Sequence, residues 1–309
     1  MKSHVREAFA ELERKFGRLN RVGDGRSLFE IPAIDVIVYF RYSKLFRQSD
    51  RKTVAFYGLR KTDIDAMLQS GKRAFLYLIT DEKEKNLLIP LKQYEADFLA
   101  TEPSNDGQYK TLAFFKPTGA EIYFANIGKF GAEGYFSLEP LMNSSPNDDS
   151  APPLSHQQVQ SLVGAIGIAK GFSVWYPEKD KVEIDFSIVD RSRVAERLPR
   201  FGKEIDDIVS EIDVIWLQQN KPVSFWEVEH STPIYSGLLR FNDVLLTIAN
   251  ADNFNIVAER EREAKFGREI NRPTFRQSKL IERVTFVDYA TVYNWFRHLA
   301  KAAHSGRKA

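Results

Sequence analysis

Between Met142 and Pro153 the chain reads Met-Asn-Ser-Ser-Pro-Asn-Asp-Asp-Ser-Ala-Pro-Pro, and nothing in that run can nucleate a core. Small, polar and proline residues favour a solvated linker. At 309 residues the chain is long enough to bury a core on either side of it. The expected organisation is therefore one domain over 1–141, a linker over 142–155 and a second domain over 156–309. No internal repeat or long low-complexity tract argues for another division.

The two halves differ in rhythm. An amphipathic helix over 4–19 opens the first, followed by short β-rich runs at 34–42, 53–57, 74–79, 86–89, 109–115, 121–125 and 134–138. Helical periodicity interrupts them at 61–69 and 91–99. This order predicts an α+β, β-rich N-terminal domain built as a small barrel or an antiparallel sheet. Its aromatic residues, among them Phe40, Phe56, Tyr109, Phe114 and Tyr123, belong mostly to a core, and some can present stacking faces.

The second half begins with a helix over 157–170 and a strand over 173–176. A polar helical stretch over 192–210 precedes two strands, 211–217 and 223–231, joined by a turn at 218–222. Helix 234–250, strand 255–258, charged helix 260–271, strand 284–288 and helix 291–303 complete the pattern. A hairpin-like pair followed by alternating helices and strands predicts an α/β domain around a mixed central sheet. Gly164 and Gly167 read as close-packing positions, because no Walker-spaced strand precedes them and no Lys-Ser/Thr follows.

The chemistry concentrates in Phe225-Trp226-Glu227-Val228-Glu229-His230-Ser231. Residues two apart on a strand share a face, which groups Glu227, Glu229 and Ser231 and sends Trp226, Val228 and His230 the other way. The preceding strand contributes Asp213 within Glu211-Ile212-Asp213-Val214-Ile215-Trp216-Leu217. Carboxylates gathered in a largely buried sheet repel one another and lose hydration, so they take up protons or attract a cation. Oxygen donors in a chain without cysteine favour Mg²⁺ or Mn²⁺ over zinc.

Asp213, a short connection, Glu227-Val228-Glu229 and a following helix together resemble the PD-(D/E)xK nuclease superfamily, the fold of many restriction endonucleases. The likeness extends over residues 157–258 in element order. Ile212 stands where the motif has proline, and Glu229 takes the lysine position, giving a Glu-x-Glu variant. The resemblance implies a restriction-endonuclease-like fold, Asp213 and Glu227 as ligands of a divalent ion, and hydrolysis of phosphodiester bonds in DNA. Glu229 then serves as general base or as ligand of a second ion. Arg240 or Lys265 would balance charge developing on the phosphate, and Ser231, Thr232 and Ser236 are candidate phosphate contacts. Ser231 and Thr232 also suit a helix N-cap, and His230 suits packing better than catalysis.

Phosphate binding needs a local basic field. Residues 1–140 hold 22 Lys and Arg against 19 Asp and Glu, while 141–309 hold 22 against 23. The excess gathers in Arg41, Lys44, Arg47, Arg51, Lys52, Arg60 and Lys61, opposed over that interval by Asp50 alone. A DNA-recognition role for the first domain follows as an expectation, with a packing or dimerisation domain as its rival. The complete reading is a Mg²⁺-dependent restriction or defence endonuclease. The alternatives are a non-catalytic DNA-binding protein that keeps the fold, and an RNA or repair nuclease. Cleavage of both strands would favour a homodimer. A charged N-terminal pattern with no apolar leader, and no membrane-length apolar run, point to a soluble cytoplasmic protein. A glycosidase using Glu227 and Glu229 is not expected, since side chains two apart on one strand do not flank a sugar ring as paired carboxylates must.

Overall fold

The computed structural model describes residues 3–23, 25–49, 52–142, 152–231 and 233–306. The chain divides into two compact units, Met1–Ser150 and Ala151–Ala309. Most of the expected linker lies outside the described residues.

Unit 1 runs α1 (Ser3–Phe16), β1 (Asn20–Arg21), β2 (Leu28–Ile31), β3 (Val36–Tyr42), β4 (Phe46–Ser49), β5 (Lys52–Arg60), α2 (Lys61–Gln69), β6 (Arg73–Ile79), β7 (Leu87–Pro90), α3 (Glu95–Ala100), β8 (Gln108–Lys116), β9 (Gly119–Phe124) and β10 (Gly128–Gly131). Its strands form two layers of pairing. One set is ordered β4-β5-β8-β9-β10 and is antiparallel throughout. The other is ordered β1-β2-β3-β6-β7 and contains a parallel pair, β3 with β6. A single antiparallel sheet or small barrel was expected. The parallel pair arises because β4, β5 and α2 supply the long crossover that parallel strands need. Helix α1 buries Ala8, Leu12 and Phe16 at four-residue spacing, in one core with Val38, Phe40 and Ile79. The strand expected over 134–138 is instead a 3₁₀ turn, Glu133–Tyr135, and β1, β2, β4 and β10, none longer than four residues, are too short to show a period in the sequence.

Unit 2 runs α4 (His156–Ala169), β11 (Ser173–Trp175), α5 (Lys203–Ser210), β12 (Val214–Gln218), β13 (Lys221–Val228), α6 (Ile234–Thr247), β14 (Phe254–Ala258), α7 (Glu263–Ile270), α8 (Pro273–Gln277), β15 (Val284–Asp288) and α9 (Tyr289–Gly306). Its five strands follow that order in space. The pairs β11–β12 and β12–β13 are antiparallel, β13–β14 and β14–β15 parallel, giving the mixed sheet that was expected. Gln219 and Asn220, at φ 50° and 60°, turn the β12–β13 hairpin through the left-handed region that tight hairpins use. The helix expected over 192–210 is confined to Lys203–Ser210, because Pro199 breaks the pattern before it.

The sheet buries different residues on its two faces. Trp216, Trp226 and Val228 enter a core with Val159, Val163 and Ile166 of α4 and Val292 and Trp295 of α9. Gly164 and Gly167 make this approach possible: a Cβ on them would lie 1.6 Å from the Tyr176 hydroxyl and 2.6 Å from Trp216 Nε1. On the α6 side, Phe254 packs against Phe225 at 5.3 Å and Phe241 at 5.1 Å between ring centres. Among the described residues, no helix is long and apolar enough to cross a membrane.

Candidate functional site

Asp213 immediately precedes β12, Glu227 is the penultimate residue of β13, and Glu229 follows that strand's end. Glu227 and Glu229 are each 1% exposed. Strand alternation turns both toward α6, where Gly237 meets them. A Cβ at position 237 would stand 2.6 Å from Glu229 Oε1 and 3.3 Å from Glu227 Cγ. Glycine at that point on α6 is what lets the helix lie close over the acidic end of the sheet.

Each carboxylate is held differently. Asp213 Oδ2 accepts from the Val228 backbone N–H at 2.7 Å, which ties the acidic ends of the two hairpin strands together. Its Oδ1 accepts from Gln160 Nε2 at 3.2 Å and lies 3.5 Å from His156 Nε2. Both oxygens of Glu227 accept from Arg240, at 2.7 Å from Nε and 2.8 Å from Nη2. Burial pushes the Glu227 carboxyl well above the ordinary range; the Arg240 hydrogen bonds oppose this, and the charges of Asp213 and Glu229 reinforce it. Arg240 in turn is held still more firmly protonated, chiefly by its bonds to Glu227.

The sequence reading missed three neighbours. His156 and Gln160 sit four residues apart on α4, hence on one helical face, and both reach Asp213. Gln160 is fully buried, and its Nε2 also donates to Asp180 at 3.1 Å. The signal was a Gln embedded in the apolar run Val159–Ala169; nothing local marked Asp180. A reciprocal cap, Ser155 with Gln158, fixes the start of α4 and hence these two side chains. The His156 pKa is raised, first by its hydrogen bond to Asp213 and also by the charges of Asp213, Asp180 and Glu229, against the effect of burial.

Other expected residues lie elsewhere. Lys265 is exposed on α7. Ser231 is exposed and does not cap α6: the N-cap is Pro233, with no side-chain bond. Ser236 bonds to its own turn at the Pro233 carbonyl, and Thr232 lies outside the described residues. His230 stacks on Tyr289, with Nδ1 3.3 Å from the phenol oxygen. The donors suit a hard divalent ion in kind, being oxygens in a chain without cysteine. Among the described residues, no three His, Cys, Asp or Glu side chains are gathered as a ready ligand set. The positive charge beside Glu227 is that of Arg240.

Residues 140–305 match the family described as Type II restriction enzyme NmeDI C-terminal domain. The chain belongs to that family. It is also 28% identical over 233 residues to Type II restriction enzyme NmeDI of Neisseria meningitidis serogroup C. That alignment takes in 71% of this chain and 56% of the relative, so the chain spans little more than half the length of that enzyme. No solved structure matches. Asp213, Glu227, Glu229, Arg240, His156 and Gln160 all fall inside the segment matched to the NmeDI C-terminal family.

The basic cluster of unit 1 precedes that segment. Lys44 is exposed, and Arg41 lies 5.7 Å from the Tyr39 ring centre. Lys52 Nζ sits 4.3 Å over the Phe114 ring. Arg60 and Lys61 pair with Asp63 and Asp65 at 2.8 and 2.9 Å, acids just beyond the interval over which the charge was counted. The field there is weaker than the sequence count implied. Arg51 and Asp50 lie outside the described residues.

Proposed function

We propose that this chain is a Mg²⁺-dependent DNA endonuclease of the restriction type, working in the cytoplasm. In this reading unit 2 cuts with a Glu-x-Glu variant of the PD-(D/E)xK site, and unit 1 engages the DNA. The observation that carries the reading is that Asp213, Glu227 and Glu229 lie at one end of the β12–β13 hairpin, Asp213 bonded to the Val228 N–H and the two glutamates facing Gly237 of α6. Membership of a family named for a Type II restriction enzyme supports it.

Asp213 and Glu227 are the residues that would hold the divalent ion, and such an ion supplies an acidified water and charge neutralisation at a scissile phosphate. Asp213 is already oriented for this work by Val228 N–H and Gln160. Glu227 can turn an oxygen outward only by loosening its grip on Arg240. The released guanidinium, 32% exposed in its present position, is then a donor for the phosphate. Glu229 is the base, or a ligand to a second ion. A homodimer would bring two such sites to opposite strands. Mn²⁺ would replace Mg²⁺ without change of donor type.

Two features favour a second reading, a DNA-binding protein that does not cut. Glu229 stands at the lysine position, and Arg240 engages both oxygens of Glu227. Incubating plasmid DNA with the purified chain, with Mg²⁺ or with EDTA, decides between them. Metal-dependent nicking that Asp213→Ala abolishes supports the nuclease. DNA bound and left intact by the wild type supports the second reading.

A further inference from the structure

A band of apolar side chains crosses the outer face of the sheet β4-β5-β8-β9-β10, between charged residues. Register places Phe46 opposite Val54, Val54 opposite Phe114, Phe56 opposite Leu112, and Leu112 opposite Tyr123. Directly opposed residues share a face, as do residues two apart, so these six side chains form one continuous surface. Phe46 is 60% and Phe56 50% exposed, although aromatic rings of this size usually bury most of their area. The opposite face of the same strands is a filled core containing Ala55, Tyr57, Leu59, Tyr109 and Ala113.

The charges that share this surface are chiefly positive. The same register sets Lys52, Arg60, Lys110, Lys116 and Lys129 on it with the buried Glu121, but Arg60 pairs with Asp63 and Lys110 with Asp106, so most of these cations are already matched by acids. Lys116 and Lys129 turn to Glu121 at 2.7 and 3.7 Å, at the β9–β10 side. At the β4–β5 side, Lys52 lies over the Phe114 ring and Lys44, two residues before Phe46, is exposed, whereas Arg47 pairs with Thr53 and so belongs to the other face. Open aromatic rings beside cations match a ligand with flat faces and a polyanionic backbone.

We propose that this face binds a single nucleic-acid strand, with unpaired bases stacked on Phe46 and Phe56 and phosphates at Lys52 and Lys44. The inference rests on the reading of nucleic acid as the substrate, but it requires no cleavage and no residue of unit 2.

The test uses the full-length chain in EDTA, so that binding is read without hydrolysis. A short DNA single strand carrying 2-aminopurine, and its duplex, are titrated against wild type, Phe46→Ala/Phe56→Ala and Phe56→Trp. Expected are a quenched 2-aminopurine signal with the single strand and a loss of affinity of about tenfold or more in the double Ala variant. Phe56→Trp should retain binding, and Lys52→Ala should flatten the salt dependence. Because both rings are exposed, thermal melting should be unchanged by the Ala substitutions. The proposal is overturned if the wild type fails to quench the probe, or if the double variant binds the strand as well as wild type. A change of oligomeric state in that variant, with strand binding intact, would also overturn it and assign the face to a second copy. Plasmid cleavage that persists in the double variant while probe binding is unaltered removes the stacking surface and leaves the nuclease reading standing. Probe binding without cleavage does the reverse.

Discussion

Arg240, nearly two turns into α6, closes on Glu227 near the end of β13 through two parallel N–H···O bonds of 2.7 and 2.8 Å. The carboxylate is almost wholly buried, while the guanidinium keeps about a third of its side chain in water. The pair thus joins a buried acid, whose charge is costly alone, to a cation that can reach solvent. Removing the cation should leave that cost exposed. Arg240→Ala is expected to lose about 3 kcal/mol of stability, the low end for breaking a buried pair because Arg240 is partly solvated. Urea denaturation checks this. Glu227→Gln in the same background should restore part of the loss, because a neutral amide tolerates the site.

His156 and Asp213 give a pH signature. A histidine whose folded pKa is raised stabilises the protein fully below its unfolded pKa, about 6.5, and ceases to do so as pH rises through the folded value. His156→Gln should therefore cost more stability below about pH 6 than above about pH 8. Unfolding curves of wild type and variant at the two pH values test the sign, and NMR titration of the imidazole reports the raised pKa directly. A deficit that grows toward high pH would contradict the geometry.

Gly237 sets how closely α6 approaches the acids. Gly237→Ala places a methyl group 2.6 Å from Glu229 Oε1, so helix or carboxylate must shift. The substitution should leave the chain folded but weaken Mn²⁺ binding, measured by calorimetry, about as much as Asp213→Ala does. Unchanged binding would mean that the α6 distance has no bearing on the ion.

Across the sheet, Tyr176 points its hydroxyl at Gly164 and, among the described residues, has no hydrogen-bond partner for it. An unmet buried hydroxyl is a cost, so Tyr176→Phe should be neutral or stabilise by about 1 kcal/mol. Gly164→Ala should destabilise by about 1–3 kcal/mol through overpacking, and less in the Tyr176→Phe background. Thermal melting of the three variants measures both effects.

Period-two alternation in Phe225–Ser231 was enough to put Glu227 and Glu229 on one face, because a strand allows no other arrangement. The role of Gly164 and Gly167 followed in the same way, from what surrounds them in sequence. Partners that come from distant elements were not legible. Gln160 reaches Asp213 across 53 positions and Asp180 across 20, and no local pattern encodes either approach. The parallel β3–β6 pair was hidden for a similar reason: its register depends on a crossover whose path the intervening residues do not dictate. Arg240 was visible as a charge on the right helix, but a single sequence does not say that it would bind the carboxylate before any phosphate arrives. The charge count over 41–61 stopped short of Asp63 and Asp65, which neutralise the two cations at its end.

We propose that Asp213, Glu227 and Glu229 together hydrolyse DNA with a divalent ion. The most direct measurement is plasmid cleavage by wild type, Asp213→Ala and Glu227→Gln, each with Mg²⁺ and with EDTA. Expected are nicked or linear DNA for the wild type with Mg²⁺ and intact plasmid in every other lane. Equal cleavage by Asp213→Ala, or cleavage in EDTA, would contradict it.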